Sequence, residues 1–244
     1  MASQTPFRAH WVSEGNSHID VAGSQGPIHY LWLRSEFRKL TIRDYDEPLS
    51  LVGIPSTVKE ITIYNSVGLT SLVGLPDSVE ILTLSFCNQL QSLASLPPNL
   101  SRLAIENCKS LDWTPALLPA GLQELELIKL PITGCLRGLP PGLLRLSLEG
   151  LPNVRELNHL PEGLTSLEID DCLAIEALPF RPSISCLAIY DVNFTFSVYT
   201  PDGESLINER EVGNGSEYLA LVEEVTAYMA NRKKRPSTAS EAAS

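Results

Sequence analysis

The chain has 244 residues, enough for one large domain or two small ones. Its hydrophobic content is 43%, but Leu dominates that fraction and Phe, Trp and Tyr together reach only 7%, the balance of a repetitive core filled by one side-chain type. A formal net charge of −11 repels phosphate backbones over most of the surface and excludes nucleic acid as the default partner.

Residues 1–36 read as a flexible N-terminal segment and cap. The start, MASQTPFRAHWVSEGNSHID, lacks the apolar h-region of a secretory signal peptide. Its Ser/Gln-rich character is also compatible with a type III export signal. Residues 1–30 show little periodicity, and Ile28–Leu33 (IHYLWL) is the expected capping strand, because the first apolar row of the adjoining repeats would otherwise face water. No run of eighteen apolar residues occurs that could span a membrane.

Residues 37–191 hold eight repeats of 20–22 residues. The pattern φ-x-x-φ-x-φ, with φ apolar, starts at Phe37, Val58, Val79, Leu100, Leu122, Leu143, Leu164 and Ile184. Its fourth and sixth positions are Leu or Ile in every repeat, from Leu40 and Ile42 to Leu187 and Ile189. Further apolar residues recur at position twelve (Leu69, Leu90, Leu111, Val154, Ile175) and position fifteen (Leu51, Leu72, Leu93, Leu136, Leu157, Leu178), followed by an apolar-Pro step such as Ile54-Pro55 or Leu160-Pro161. Positions four and six share one face of a short strand, since strand side chains alternate. A Pro in nearly every return segment disfavours an α-helix there and points to polyproline-II or 3-10 geometry. The predicted fold is therefore a mainly β, α/β-repeat solenoid of leucine-rich-repeat type with a parallel concave sheet. Eight strands at about 4.8 Å would give a ribbon of roughly 35–40 Å.

Position nine carries Cys87, Cys108 and Cys172, against Tyr45, Ser66, Leu130, Leu151 and Val192 elsewhere. A small, weakly polar thiol suits a buried place where the strand turns away. The alternative, a metal or redox site, has no accompanying His. Five cysteines without a close pair point to a reducing compartment.

The unit L-x-x-L-x-L-x-x-C-x-x-L-x-x-L-x-x-L-P resembles two families. LPPNLSRLAIENCKSL (96–111) and LPEGLTSLEIDDCLAI (160–175) are similar to repeats of plant intracellular nucleotide-binding leucine-rich-repeat immune receptors. The phrase LP-x-G-L-x-x-L-x-L, at 118–127, 139–148 and 160–169, resembles bacterial type III effectors of the Yersinia outer-protein M and invasion-plasmid-antigen H kind. The likeness covers residues 37–191. Those effectors use a shorter unit, commonly with Asn where this chain prefers Cys. Neither the Cys-x-Asp motif of the effector ligases nor the phosphate loop of the receptors occurs in the sequence. The resemblance thus implies a sensor or docking region without ligase or nucleotide-binding machinery, located in the cytoplasm or delivered into a host cell by a signal-peptide-independent route.

Residues 192–231 read as a C-terminal cap. Phe194–Tyr199 is strand-like, Pro201-Asp202-Gly203 is turn chemistry, and Ser205–Glu211 is expected to return as a second strand. Ser216 is placed as the N-cap of a helix through Ala230 whose stripe is Tyr218, Leu221, Val222, Val225 and Met229. The helix either caps the solenoid or binds a partner. Residues 232–244 form a basic, Ser-rich tail expected to be disordered, with nuclear import or anionic-membrane contact as the alternatives for Arg232-Lys233-Lys234-Arg235.

Four histidines without spaced partners, and no nucleophile elbow or dinucleotide fingerprint, give no expectation of catalysis, metal or cofactor. The candidate site is instead the concave face, made by side chains between and just after the buried strand positions. In the first four repeats these are Lys39, Arg43, Tyr64, Ile81, Phe86 and Arg102. In the last four they are Glu124, Glu126, Lys129, Arg145, Glu149, Glu168, Asp170, Asp171 and Tyr190. Apolar and aromatic groups there would anchor a protein partner, and the carboxylates would steer a basic patch. The expected function is protein binding by a monomer. The alternatives are the substrate-recognition region of a ubiquitin ligase and a self-assembling structural repeat.

Overall fold

A computed structural model of the chain describes residues 17–22, 28, 37–176, 178, 180–190 and 214–230, together with the backbone of 194–199, 205–212 and 231–233. In chain order the strands are β1 (His18–Ala22), β2 (Lys39–Arg43), β3 (Glu60–Tyr64), β4 (Ile81–Ser85), β5 (Arg102–Glu106), β6 (Glu124–Ile128), β7 (Gly134–Cys135), β8 (Arg145–Glu149), β9 (Val154–Glu156), β10 (Ser166–Asp170), β11 (Cys186–Tyr190), β12 (Phe194–Tyr199) and β13 (Ser205–Val212), followed by helix α1 (Gly215–Lys233). Nine of them form one parallel sheet in the order β1-β2-β3-β4-β5-β6-β8-β10-β11. Each turn of chain lays one strand beside the last, so the architecture is a leucine-rich-repeat-like solenoid.

Register follows the repeat arithmetic. Leu40 pairs with Ile61 and Ile61 with Leu82, each 21 residues on. Leu103 pairs with Leu125, 22 on, and Leu167 with Leu187, 20 on. Length changes are therefore absorbed away from the sheet. In the long repeat a 3-10 turn, Pro115–Leu117, occupies the return path. Had a residue been added inside a strand instead, every later side chain of that strand would have changed face.

Alternation puts positions four and six inward. Leu82, Leu84, Leu103, Ile105, Leu127 and Leu148 are completely buried, and the position-twelve and position-fifteen residues Leu69, Leu72, Leu90 and Leu93 close the same core from behind. The apolar-Pro step has a distinct job. The carbonyls of Pro55, Pro76, Pro97, Pro119, Pro140 and Pro161 each accept the N–H three residues on, at Val58, Val79, Leu100, Leu122, Leu143 and Leu164, with distances of 3.1–3.2 Å. This tight turn swings position one back into the core just before the next strand begins. Among the described residues the return segments hold turns, the 3-10 turn and a small parallel pairing of β7 with β9, which the repeat pattern does not announce.

The solenoid begins one turn earlier than the repeat count indicates. β1 pairs with β2 in register, Ile19 beside Leu40 and Val21 beside Ile42, again at a spacing of 21. Ile19 and Val21 are each 1% exposed. The rung escapes the pattern because its first position is Asn16; the strand pair alone carries the inward face. Residues 18–22 are thus part of the sheet and not of an irregular segment. Of the expected capping strand at 28–33 only Ile28, which is buried, lies within the described residues.

At the other end α1 closes the core. Tyr218, Leu221, Val222 and Val225 are buried, Met229 packs partly against the same cluster, and the buried Tyr218 hydroxyl accepts the Arg181 N–H at 3.1 Å. Gly215 lets the helix start against β11, since an added Cβ would fall 1.9 Å from the Leu187 carbonyl oxygen. The N-cap is Asn214 and not Ser216. Asn214 Oδ1 accepts the Glu217 N–H at 3.0 Å, and Asn214 Nδ2 donates back to the Glu217 carboxylate at 2.8 Å. This reciprocal pair occupies an otherwise orphaned helix donor. The helix also runs past Ala230 to Lys233, so Arg232 and Lys233 belong to it and not to a tail. β12 and β13 pair antiparallel, Phe194 opposite Val212; the expected 201–203 turn and residues 234–244 lie outside the described residues.

Candidate functional site: the concave face

The concave face is built from positions three, five and seven of each strand, with position eight as its rim. Position five runs Asp20, Thr41, Thr62, Thr83, Ala104, Glu126, Ser147, Glu168 and Ala188, adjacent in register from strand to strand. Small residues floor most of the N-terminal half, and from β6 onward glutamates enter the row.

Position eight turns the chain out of the strand through the left-handed region. Asp44, Asn65, Phe86, Asn107, Lys129, Gly150 and Asp171 all have φ between +46° and +60°. Each of the first six donates its N–H to the strand-end carbonyl of the next rung, as Asn65 does to Ser85 at 2.9 Å and Phe86 to Glu106 at 2.9 Å. Asn, Asp and Gly tolerate that geometry, whereas a bulky aromatic is an outlier in it. Phe86 holds it while its half-buried ring meets the exposed Tyr64 ring edge-on, 5.4 Å between centroids.

Behind the rim, position nine lies inside. Tyr45, Ser66, Cys87, Cys108, Leu130, Leu151 and Cys172 are all buried. The polar ones face the strand-end carbonyl two residues back: Ser66 Oγ to Tyr64 at 3.1 Å, Cys108 Sγ to Glu106 at 3.4 Å and Cys172 Sγ to Asp170 at 3.3 Å. Cys87 Sγ lies 3.6 Å from the Ser85 carbonyl oxygen. The neighbouring Cys108 thiol and burial push the Cys87 thiol up, and burial pushes Cys172 up. Protonated donors are what these carbonyls need.

The charged candidates are tied to one another across strands. Lys39 Nζ lies 2.6 Å from Glu60, and Arg43 forks onto Asp20 at 3.0 and 3.1 Å. Arg102 bridges Glu126 at 2.6 Å and Glu124 at 3.7 Å, Arg145 holds the other side of Glu124, and Lys129 meets Glu149 at 3.0 Å. The Glu149 carboxylate raises the Lys129 ammonium pKa. Such exposed pairs are screened by water and add little to stability; their larger effect is to cancel the concave cations locally. Glu168 takes the Ser147 hydroxyl at 3.3 Å, and among the described residues no ion pair engages Glu168, Asp170 or Asp171. Tyr190 stands beside Asp170 on the next strand with its ring exposed. Ile81 is half-buried at position three.

All fifteen candidates therefore sit on strand positions three, five or seven or on the position-eight rim. Glu60, Glu106 and Ile128 occupy positions three and seven as well and belong to the same face, although the sequence expectation left them out. A strict count of those positions in every rung is the signal that finds them. At the N-terminal ends of β1–β4 a groove of about 380 Å³ is lined by His18, Arg38, Lys39, Lys59, Glu60 and Glu80. Lys59 and Glu80 close on each other there at 2.7 Å, as Lys39 does on Glu60. Among the described residues no group of His, Cys, Asp and Glu side chains is arranged to hold a metal ion, and no helix is long and apolar enough to cross a membrane.

Comparison with known protein families, curated proteins and solved structures gives no match to this chain.

Proposed function

We propose that this protein is a non-enzymatic binding module that holds a partner protein on its concave face. Solenoid repeats of this kind are generally interaction scaffolds, because stacking creates an extended curved surface without a deep pocket. The observation that carries the proposal is the Tyr64–Phe86 pair. Two aromatic rings stand at the concave rim, one on a left-handed backbone, and neither belongs to the buried rows beneath. Strain of that kind persists where the surroundings hold it and clusters at ligand-binding places, and exposed aromatics are the usual anchors of an interface. A reducing compartment belongs to the same reading, since Cys87, Cys108 and Cys172 serve as thiol donors to buried carbonyls.

The test is quantitative affinity capture with three baits: the parent chain, a Tyr64→Ala/Phe86→Asn variant, and a variant of the exposed convex residues Val52 and Val73 changed to Ser. A protein held by the parent and the convex variant but lost from the rim variant supports the concave face. A protein lost only from the convex variant would move the site to the opposite side.

A further inference from the structure

We infer that the concave face takes an extended, arginine-containing segment of its partner that crosses the strands. One apolar side chain of the segment rests on Tyr64 and Phe86, and its basic side chain lies between Tyr190 and the carboxylates of β10. The inference rests on the concave face being the binding surface and adds the chemistry of what it binds.

Charge supplies the first argument. The cations on this face are already matched by carboxylates on neighbouring strands, through Lys39–Glu60, Arg43–Asp20, Arg102–Glu126 and Lys129–Glu149. An acidic ligand would have to break those pairs to gain any. Among the described residues the carboxylates without an ion pair on this face concentrate on and just after β10, at Glu168, Asp170 and Asp171. Along the rim from β5 to β10 the position-seven and position-eight side chains carry four carboxylates (Glu106, Glu149, Asp170, Asp171) against the single ammonium of Lys129. Among the described residues the nearby cation is Lys129, which is paired with Glu149 and also feels Asp171; the carboxylates outnumber it there and favour a positively charged ligand.

Side-chain chemistry narrows the cation. Tyr190 is 55% exposed and sits in register beside Asp170. An aromatic face next to a carboxylate suits a guanidinium, which stacks on the ring while its N–H groups donate in plane to the carboxylate. A lysine ammonium would satisfy the charge but not the planar fork.

Geometry narrows the ligand's shape. The Phe86 rung and the Asp170 rung are separated by four strand pairings, β4-β5-β6-β8-β10, or about 19 Å at ~4.8 Å each. An extended chain advances ~3.3 Å per residue, so roughly six residues span the two ends. Between them the floor is low except at β6, where Glu126 leans onto Arg102 of β5. Thr83, Ala104 and Ser147 lie at position five, so a peptide backbone can cross the strands without meeting a ridge at those rungs. A helix would need about twelve residues for the same span, twice the length of an extended chain.

The experiment selects a displayed library of random linear twelve-residue peptides on the full-length protein. Enriched sequences are then synthesised with a fluorophore and titrated by anisotropy at several salt concentrations. The expected peptides carry an apolar or aromatic residue and an arginine about five to seven positions apart. Phe86→Asn should weaken them roughly tenfold or more with the salt dependence intact, while Asp170→Asn/Asp171→Asn should weaken them and flatten the salt dependence. Replacing the peptide arginine with lysine should lose part of the affinity. Enrichment of acidic or uncharged peptides, or binding by both variants equal to the parent's, overturns the inference. So does an empty selection; if affinity capture still shows a folded protein lost with the rim variant, the concave face remains the site and only the extended basic segment falls. Light scattering of the parent and Phe86→Asn completes the set. A parent dimer that the substitution dissolves would make a second copy the occupant and overturn the basic segment.

Discussion

Phe86 meets Tyr64 edge-on, with 68° between the ring planes, while its own backbone sits at φ +58°. The neighbouring rungs place Asn65 and Asn107 at the same left-handed position, so the ring is held at a cost in backbone strain that a small polar residue would not carry. Replacing Phe86 with Asn should relieve roughly 1 kcal/mol of that strain and lose roughly 1 kcal/mol of aromatic contact. Thermal denaturation should therefore shift by no more than a few degrees while partner binding is lost. A fall of ten degrees or more would make Phe86 a structural residue.

The inward rows respond differently. Leu125 is 1% exposed at position four of β6, whereas Leu144, two residues before the buried Leu146, is 41% exposed. Leu125→Ala should cost about 2–5 kcal/mol, the range for truncated core leucines. Leu144→Ala should stay within about 0.5 kcal/mol. Chemical denaturation of both variants checks the register, and equal losses would contradict it.

Tyr218 ties stability to alkaline pH. Burial pushes its phenol from 10.0 up to about 12, so the folded state favours the protonated form. That contribution is complete below pH 10 and is lost as pH rises from 10 towards 12. The two-unit shift corresponds to about 2–3 kcal/mol. Denaturant midpoints should fall across that window. Tyr218→Phe should remove this part of the pH slope, yet cost about 1–3 kcal/mol at neutral pH because the Arg181 N–H loses its acceptor. An unchanged alkaline slope in the variant would assign the pH response to other groups.

The thiols give a labelling test. Cys87, Cys108 and Cys172 are buried, Cys135 is partly exposed and Cys186 is exposed. A maleimide should modify Cys186 first in the native protein, with the three position-nine thiols reacting only as the solenoid opens. Mass mapping of the labelled sites reads the order directly, and early labelling of Cys108 or Cys172 would place position nine at the surface.

Much of this architecture was legible in the residues, for a physical reason. The Leu and Ile rows repeat because each rung buries its face only against its neighbours, so register, inward face and the turn behind each Pro are all encoded locally. What escaped the pattern is equally local. Asn16 breaks the apolar run that would have announced β1, and the β7–β9 pairing depends on two return segments meeting. The residue types alone do not separate Ser216 from Asn214 as the helix cap, because both have capping side chains. The reciprocal Asn214–Glu217 bonds and the close approach of Gly215 to Leu187 show that the helix begins there. Cross-strand charge pairing was the largest omission. Spacing along the sequence separates Arg102 from Glu126, and the sheet brings them to 2.6 Å.

That pairing distinguishes two carboxylates which look equivalent on alternation alone. Glu126 and Glu168 both occupy position five, but Glu126 is held by Arg102, whereas Glu168 takes the Ser147 hydroxyl at 3.3 Å. Glu126→Lys would set a second cation against Arg102 and leave the Glu124 charge to serve two arginines. It should lower stability by about 1 kcal/mol, and added salt should restore most of the loss. Glu168→Lys should leave stability unchanged or raise it slightly, because it relieves repulsion around Asp170. Its cost should appear in the kinetics of partner association, which slow and lose their salt dependence while dissociation changes little. Paired denaturation and stopped-flow measurements separate the two outcomes. If Glu168→Lys associates at the parent rate across the salt series, the acidic end of the concave face does not guide the partner.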